Sequence, residues 1–482
     1  MLSCVPEPRR PTYPMSSLKT IPGSDGASDS TQHLDRAFLG HPKGLGYLAF
    51  TEAWERFSYY GMQTLLVLYM VKELLLPRHM EHVWFFKPLQ RLYGLEGQPL
   101  ASAIFGTYTA LVYLTPILGG FLADLVLGKR LTVLAGATTM ALGHFLMAFE
   151  QTFLFALLCL VAGCGMFKGN LASQVGALYK PEDLRRADAF QIYYLAVNAG
   201  VITTPLIVGT LGETVGWHWG FAAAGIGMLI GLSIYLAGGK YLPKETPVRS
   251  RPSATVQPPK LTKRELLITG ALILLIPVLA VAIIPNNQIF NAYLVWANDQ
   301  FDLVFFGKKL PTTWLITLDS ITSVAFLAAV ALFYRWYGKH RPEPDEITKL
   351  IIGSAFSLLG MLCLFMAAVS KPAGGRIGLL WPLAFHLTNS IAFAHILPVS
   401  LAFFAKLAPA AINSTVLGLY YLAFFLCNML VGWIGGLYEK LPTPRFWLLH
   451  AAFAVGSGAV FVLFKLFFWP YVLNEGRERA KS

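Results

Sequence analysis

Two carboxylates, Glu52 and Glu55, and the guanidinium of Arg56 lie inside an apolar run that extends over residues 45–71. A helix of about 20 apolar residues is long enough to span a bilayer, so this run is of spanning length. An ionised group at membrane depth costs at least about 2.5–3.5 kcal/mol, and such groups are therefore rare unless they have a function. Three of them within five residues are difficult to explain by packing, so this cluster contains the first candidate functional residues.

Composition predicts an all-α polytopic membrane protein. Of the 482 residues, 55% are hydrophobic and 13% are charged, whereas a soluble protein carries about 25% charged residues. The formal charge of +12 could indicate a nucleic-acid partner. The basic residues, however, lie at the ends of apolar segments and form no single binding face, which is typical of membrane topology. We therefore expect membrane lipid as a partner and no nucleic acid.

Apolar stretches of spanning length predict twelve transmembrane helices in two six-helix bundles. The predicted segments cover residues 45–72, 100–125, 130–150, 152–178, 187–210, 217–238, 265–298, 311–337, 346–369, 377–407, 412–436 and 444–470. The predicted domains are a disordered tail (1–40), a first bundle (41–240), a polar linker (241–264), a second bundle (265–470) and a second tail (471–482). This layout is that of the major facilitator fold, in which two repeats move around a central site.

Lysine and arginine are more than twice as frequent on the side of the predicted linker and both tails as on the opposite side. The positive-inside rule then predicts cytoplasmic termini and a multi-pass protein of the plasma (inner) membrane. Asp124 follows the second segment on the cytoplasmic side. A carboxylate there can hold the N-terminus of a neighbouring helix, so we expect Asp124 to act in a cytoplasmic gate.

Helical spacing collects the polar side chains of the first segment on one face. They are Glu52, Glu55, Arg56, Tyr59, Tyr60 and Gln63. Arg56 follows Glu52 by four residues, the spacing of an ion pair within a helix. One alternative is that this ion pair has only a structural role and stabilises the first helix. That role does not explain the presence of Glu55, however, and a buried carboxylate beside a cation can load and release a proton. We therefore assign proton coupling to Glu52, Glu55 and Arg56.

Lys168 is an isolated charge about ten residues before the end of the fourth segment. It could extend along the helix to the cytoplasm, but its depth favours a side chain that faces the interior. Arg56 and Lys168 would together form a cationic site for a carboxylate. Tyr113 and Asn198 are further candidates in the first half. The second half is predicted to be polar but scarcely charged at depth, and His386, Asn389 and Phe393 share a face of its tenth segment.

Several motifs of this chain resemble those of the proton-coupled oligopeptide transporter (POT) family. In order they are Gly40-His-Pro-Lys-Gly-Leu45, Glu52-x-x-Glu55-Arg56-Phe-Ser-Tyr-Tyr-Gly-Met62, Gly119-Gly-Phe-Leu-Ala-Asp124, Phe167-Lys168-x-Asn170, Phe190-x-x-Tyr193-Tyr194-x-x-x-Asn198-x-Gly200 and Gly216-Trp-His-Trp-Gly-Phe221. The resemblance implies the major facilitator fold and uptake of di- and tripeptides with protons. It also implies that Arg56 and Lys168 hold the substrate carboxylate and that tyrosines line the pocket.

The chain departs from this family at three positions. Gln63 stands where relatives usually have a second arginine, and Asn287 stands where its glutamate partner is expected. Losing both charges together leaves neither unpaired in the membrane, and we expect a neutral contact between Gln63 and Asn287. Phe393 occupies the position at which relatives have a glutamate that binds the amino group of the peptide. We therefore expect this binding site for the amino group, the amino anchor, to be absent.

The sequence predicts a proton-coupled symporter for di- or tripeptides, or for related small solutes that bear a carboxylate. Its predicted substrate-binding residues are Arg56, Tyr59, Tyr60, Gln63, Tyr113, Lys168, Asn198, Asn287, Asn389 and Phe393. The alternatives are a transporter of a non-peptide organic anion and an exporter or facilitator of the same fold. A non-transporting sensor is disfavoured because it would need a substantial soluble domain. An enzyme is disfavoured because it would need a nucleophile–base pair or a metal-binding motif. We expect a monomer driven by the proton gradient, with no cofactor and no metal.

Overall fold

The computed structural model describes residues 35–180, 183–243 and 261–468, and these residues are almost entirely helical. Most of the predicted N-terminal tail, residues 244–260 of the predicted linker and residues 469–482 lie outside the described residues. The predicted domain boundaries and the disorder of the tails therefore stay predictions.

The first half of the chain contains nine α-helices and three π-helical extensions. The helices are α1 (Lys43–Tyr69), α2 (Pro77–Met80), α3 (Phe86–Tyr93), α4 (Gly97–Leu122), α5 (Lys129–Leu146), α6 (Phe153–Ala177), α7 (Arg185–Thr204), α8 (Thr210–Thr214) and α9 (Trp217–Ala237). The π-helical turns Met70–Leu74, Ala123–Leu127 and Pro205–Gly209 continue α1, α4 and α7.

The described part of the second half contains eight α-helices and one short antiparallel hairpin. The helices are α10 (Lys263–Asn287), α11 (Ala292–Gln300), α12 (Trp314–Tyr337), α13 (Glu346–Val369), α14 (Leu380–Leu407), α15 (Asn413–Tyr420), α16 (Leu422–Gly435) and α17 (Thr443–Phe467). The hairpin pairs β1 (Val304–Phe305) with β2 (Lys308–Lys309). α10 begins with a capping box, in which Thr262 and Glu265 bond to each other's backbone N–H groups.

Ten helical stretches of the described chain are long and apolar enough to cross a membrane, and each coincides with one of the twelve predicted segments. The remaining two segments, 45–72 and 130–150, correspond to α1 and α5. α1 carries the charged cluster, and α5 begins with Lys129 and Arg130, so both are less apolar than the other ten. The helical layout agrees with the major facilitator architecture predicted from the sequence.

Small residues allow the two halves to pack closely. α4 packs against α16, and α7 packs against α12. At the first of these contacts the glycines Gly106 and Gly432 meet, and a Cβ atom placed on Gly106 would lie 2.5 Å from the Cα of Gly432. Glycine at this crossing brings the backbones together, which is how helices gain van der Waals contact in a membrane.

The end of the bundle that carries Ala237 and Lys263, on either side of residues 244–260, is called here the linker end, and the opposite end the far end. Polar contacts join the two halves at the far end. The carboxylate of Glu213 accepts hydrogen bonds from the backbone N–H groups of Thr312 and Thr313, each at 2.8 Å. This places a negative charge at the N-terminus of α12, where the helix dipole favours it.

We expect Gly106→Ala to weaken the contact between α4 and α16. The added methyl group would meet the backbone of Gly432, and overpacking of this kind costs about 1–3 kcal/mol. The unfolding temperature of the purified protein in detergent should therefore fall. The matched control is Gly120→Ala on the same helix, where a Cβ would meet no atom within 4 Å. Equal unfolding temperatures for the two variants would contradict the close contact.

Candidate functional site

A cavity of about 530 Å³ lies between the two halves, with walls from α1, α4, α6, α7 and α16. Both cations predicted to act on substrate, Arg56 and Lys168, line it. Three other lining residues, Ile117, Tyr194 and Tyr421, are 44, 59 and 46% exposed. All three lie toward the linker end of their helices, so the cavity opens toward that end.

The charged cluster of α1 forms one compact group. The Nε atom of Arg56 donates a hydrogen bond to Oε1 of Glu52 at 2.9 Å, which confirms the ion pair predicted from the spacing. The same Nε lies 3.3 Å from Oε2 of Glu55. Both carboxylates are fully buried, and neither oxygen of Glu55 has a hydrogen-bond partner in the described chain. Arg56 therefore balances two carboxylates, and Glu55 interacts with it by charge alone.

Lys168 faces the cavity, as its depth in the segment predicted, and two aromatic rings lie close to its ammonium group. Its Nζ atom lies 4.8 Å from the ring centroids of both Tyr59 and Tyr113. Such cation–π contacts stabilise an ammonium group without neutralising it. No carboxylate of the described chain lies within 4.0 Å of Nζ, so the positive charge of Lys168 has no anionic partner there. It is available to a ligand in the cavity.

A second cavity of about 190 Å³ adjoins the first, and Tyr60 and Tyr113 line both. Four more predicted substrate-binding residues line the second cavity, namely Gln63, Asn198, Asn287 and Phe393. The structure therefore brings most of the predicted set to two neighbouring cavities that share part of their lining. Their roles in binding stay predictions.

The predicted contact between Gln63 and Asn287 is absent. Both side chains line the second cavity, but the amide of Asn287 donates to Oδ1 of Asn428 at 3.4 Å and lies 3.5 Å from the sulfur of Cys427. The prediction of a contact between α1 and α10 was wrong because α16 also packs on α10. The side chain of Asn428 on α16 offers Asn287 a nearer acceptor than Gln63 does.

One ionisable residue at depth in the second half was missed from the sequence: Asp319 on α12 is only 6% exposed and lines the second cavity. Its Oδ1 lies 2.9 Å from Nδ1 of His386 and 3.4 Å from Nδ2 of Asn389. Asn389 is itself buried behind Asp319 and lines neither cavity. The signal that predicts Asp319 is the one used for Lys168, a lone ionisable residue within an apolar segment.

Asp124 lies apart from these cavities. It is exposed, in the π-helical turn Ala123–Leu127 at the linker end. This position agrees with the predicted side of the molecule, and the gating role assigned to Asp124 stays a prediction.

Comparisons with known proteins agree with the resemblance. The sequence model of the POT family matches residues 130–258. The peptide transporter YePEPT of Yersinia enterocolitica is 28% identical, over 83% of this chain and 89% of its own length. A di-/tripeptide transporter of Lactococcus lactis is 27% identical, over 89% of this chain and 96% of its own length.

Solved structures of POT transporters also superpose on this chain. A crystal structure of a POT peptide transporter in complex with sulfate superposes with a TM-score of 0.76 at 26% identity, covering 89% of this chain and 95% of that one. A POT family transporter in complex with 5-aminolevulinic acid has a TM-score of 0.72 at 22% identity and covers 89% of this chain and 97% of its own, which supports the shared fold. The chain is therefore similar to transporters of the POT family over most of its length and shares their major facilitator fold.

Proposed function

We propose that this protein carries di- and tripeptides, or closely related small solutes with a carboxylate, across the membrane together with protons. The observation that carries the proposal is that Arg56 and Lys168 line one cavity while the buried carboxylate of Glu55 lies against Arg56. The names of the relatives, which are peptide and di-/tripeptide transporters, favour peptides as the substrate.

A substrate carboxylate would complete the charge balance of the cavity. Lys168 has aromatic rings on two sides and no anion of the described chain within ion-pair distance. Hydrogen bonds between a carboxylate and an ammonium or guanidinium are roughly twice as strong as those between neutral groups, and more so away from water. Lys168 and the exposed edge of Arg56 would therefore bind the carboxyl end of a peptide.

Protons would be coupled to substrate through competition for Arg56. With Glu52 and Glu55 both ionised, the guanidinium already balances two buried negative charges. A third carboxylate, from the substrate, binds more favourably once a proton neutralises Glu55. Linkage makes this effect reciprocal, so bound substrate also favours the protonated state of Glu55. Such a site loads both partners together and releases them together.

Transport by alternating access requires that the far end open and the linker end close. The structure has the cavity open toward the linker end, and the far end is held by bonds such as those from Glu213 to the start of α12. Lys72 on the first half also forms an ion pair with Asp299 on the second, at 2.5 Å. If the basic linker is cytoplasmic, as the positive-inside rule predicts, this is the inward-open state of a plasma-membrane carrier. We expect it to act as a monomer, with the proton gradient as the driving force and no cofactor.

We expect Glu55→Gln to abolish proton-driven accumulation. In proteoliposomes with an imposed pH gradient, uptake of Ala-Ala should fall by about tenfold or more, because the amide cannot take a proton. Exchange of Ala-Ala without a gradient should persist. Glu81→Gln, at an exposed position of the far end, is the matched control. Uptake that is unchanged by Glu55→Gln and by collapse of the pH gradient would refute proton coupling.

We expect Lys168→Gln to reduce affinity only for ligands with a free carboxylate. A lost charge-assisted hydrogen bond is worth about 1.5–3 kcal/mol, so the dissociation constant for Ala-Ala should rise by about tenfold or more. Binding of Ala-Ala amide, which has no carboxylate, should be almost unchanged. The control is Lys87→Gln on α3, an exposed position. If both ligands weaken equally, Lys168 has a structural role and does not bind the carboxylate.

A further inference from the structure

Two glutamates and two histidines lie close together at the far end of the first half, and they are called here the far-end cluster. They come from four separate elements, which are the π-helical turn that continues α1 (Glu73), α2 (His79), the 3₁₀-helical turn before α6 (Glu150) and the start of α9 (His218). None of the four lines either of the two cavities described above. The far-end cluster is therefore separate from the proposed substrate site.

The donor atoms of this cluster lie close enough to share one ion. One ligand atom from each of Glu73, His79 and Glu150 lies within 4.8 Å of the other two. Within this group, Nδ1 of His79 is 2.6 Å from Oε1 of Glu150. Nε2 of His218 lies 3.7 Å from Oε1 of Glu73 and adds a fourth donor. Bonds from zinc to nitrogen or oxygen are about 2.0–2.2 Å long, so side-chain movements of about 1 Å would complete the coordination.

The ring of His218 is oriented in the way that is usual for a metal ligand. Its Nδ1 atom lies 3.2 Å from the backbone oxygen of Met147, which can only accept a hydrogen bond. In the neutral ring the proton is therefore on Nδ1 and the lone pair is on Nε2, the nitrogen nearest to Glu73. Metal-bound histidines almost always donate their other N–H to a carbonyl, a carboxylate or water, which fixes the ring.

A backbone hydrogen bond holds two parts of the cluster together without any ion. The N–H of Trp84 donates to the backbone oxygen of Gln151 at 3.0 Å. This bond joins the loop that follows His79 to the turn that contains Glu150. The two donors are thus placed by the backbone, which lowers the cost of arranging them around a ligand.

A buried hydroxyl without a partner lies beside the cluster. Tyr69 is fully buried, and its ring centroid is 5.8 Å from that of His218. Its hydroxyl has no hydrogen-bond partner in the described chain, and the charged groups that act on it are Glu150 and Glu73. An unsatisfied buried donor costs free energy. An oxygen atom bound to an ion in the cluster would give this hydroxyl an acceptor.

The charge of the cluster suits a divalent cation. No lysine or arginine of the described chain forms an ion pair with Glu73 or Glu150, and the neighbouring Lys72 pairs with Asp299 instead. With both imidazoles neutral, the two carboxylates carry two negative charges, which one divalent ion would balance. Imidazole nitrogen is a good ligand for zinc and other transition metals, whereas calcium and magnesium prefer sites made of oxygen alone.

We infer that the far-end cluster binds a divalent transition-metal ion of the zinc type. The ion would join α1, α2, α9 and the turn before α6 at the far end of the first half. Glu73 follows Lys72, whose ion pair with Asp299 connects the two halves, so the ion would also fix the turn that carries this contact. The inference does not depend on the proposed function. The expectation of no metal rested on motifs within the sequence, whereas these four ligands meet only in the fold.

The test titrates zinc chloride into the purified full-length protein, from which chelator and any histidine tag have been removed, and measures binding by calorimetry. The wild-type protein should bind one zinc ion per chain. His79→Gln and His218→Gln should each raise the dissociation constant by about tenfold or more, because each removes a ligand. Zinc should raise the unfolding temperature of the wild-type protein, and it should do so much less in both variants. Calcium chloride should bind far more weakly than zinc.

The matched control is His82→Gln, at an exposed histidine two residues after α2. This variant should bind zinc as the wild type does, because His82 is not part of the cluster. The inference is overturned if the wild-type protein binds no zinc, if His79→Gln and His218→Gln bind it as tightly as His82→Gln, or if calcium binds as tightly as zinc. The two histidines of the cluster lie on different elements, so either variant tests the site if the other folds poorly.

Discussion

Three ionisable side chains on a single turn of α1 balance one another's charge at a largely buried site. Arg56 lies between Glu52 and Glu55, and both carboxylates are buried. Their neighbours accommodate this group by being small. Gly200 of α7 lies beside Arg56, and a Cβ placed there would be 3.2 Å from the Cβ of Arg56. The close packing of α7 against α1, and with it one wall of the main cavity, thus depends on the absence of a side chain at Gly200.

Features that depend on a single helix were predictable from the sequence. The spanning segments follow from runs of apolar residues, and the Glu52–Arg56 pair follows from the four-residue spacing. The depth of Lys168 in its segment indicated that it faces the interior, and it does. These inferences need only the geometry of one helix.

Features that depend on several helices were not predictable in the same way. Asn287 bonds to Asn428 of α16 and not to Gln63, because the order in which helices surround the cavity decides which amide is near. Asp319 acquires its partners from α14, about 70 residues later in the chain. A lone aspartate within an apolar segment marks a candidate site, but its contact with His386 is a property of the assembled bundle.

The central claim is that protons and substrate meet at Glu55 and Arg56, and proton exchange on binding measures it most directly. Calorimetric titration of Ala-Ala into the purified protein, in buffers of different ionisation enthalpy, gives the number of protons exchanged per ligand bound. The account predicts net proton uptake by the wild-type protein within the range of about pH 5 to pH 8, and none by Glu55→Gln. Binding of Ala-Ala without net proton exchange throughout that range, or with the same exchange in the Glu55→Gln variant, would contradict it.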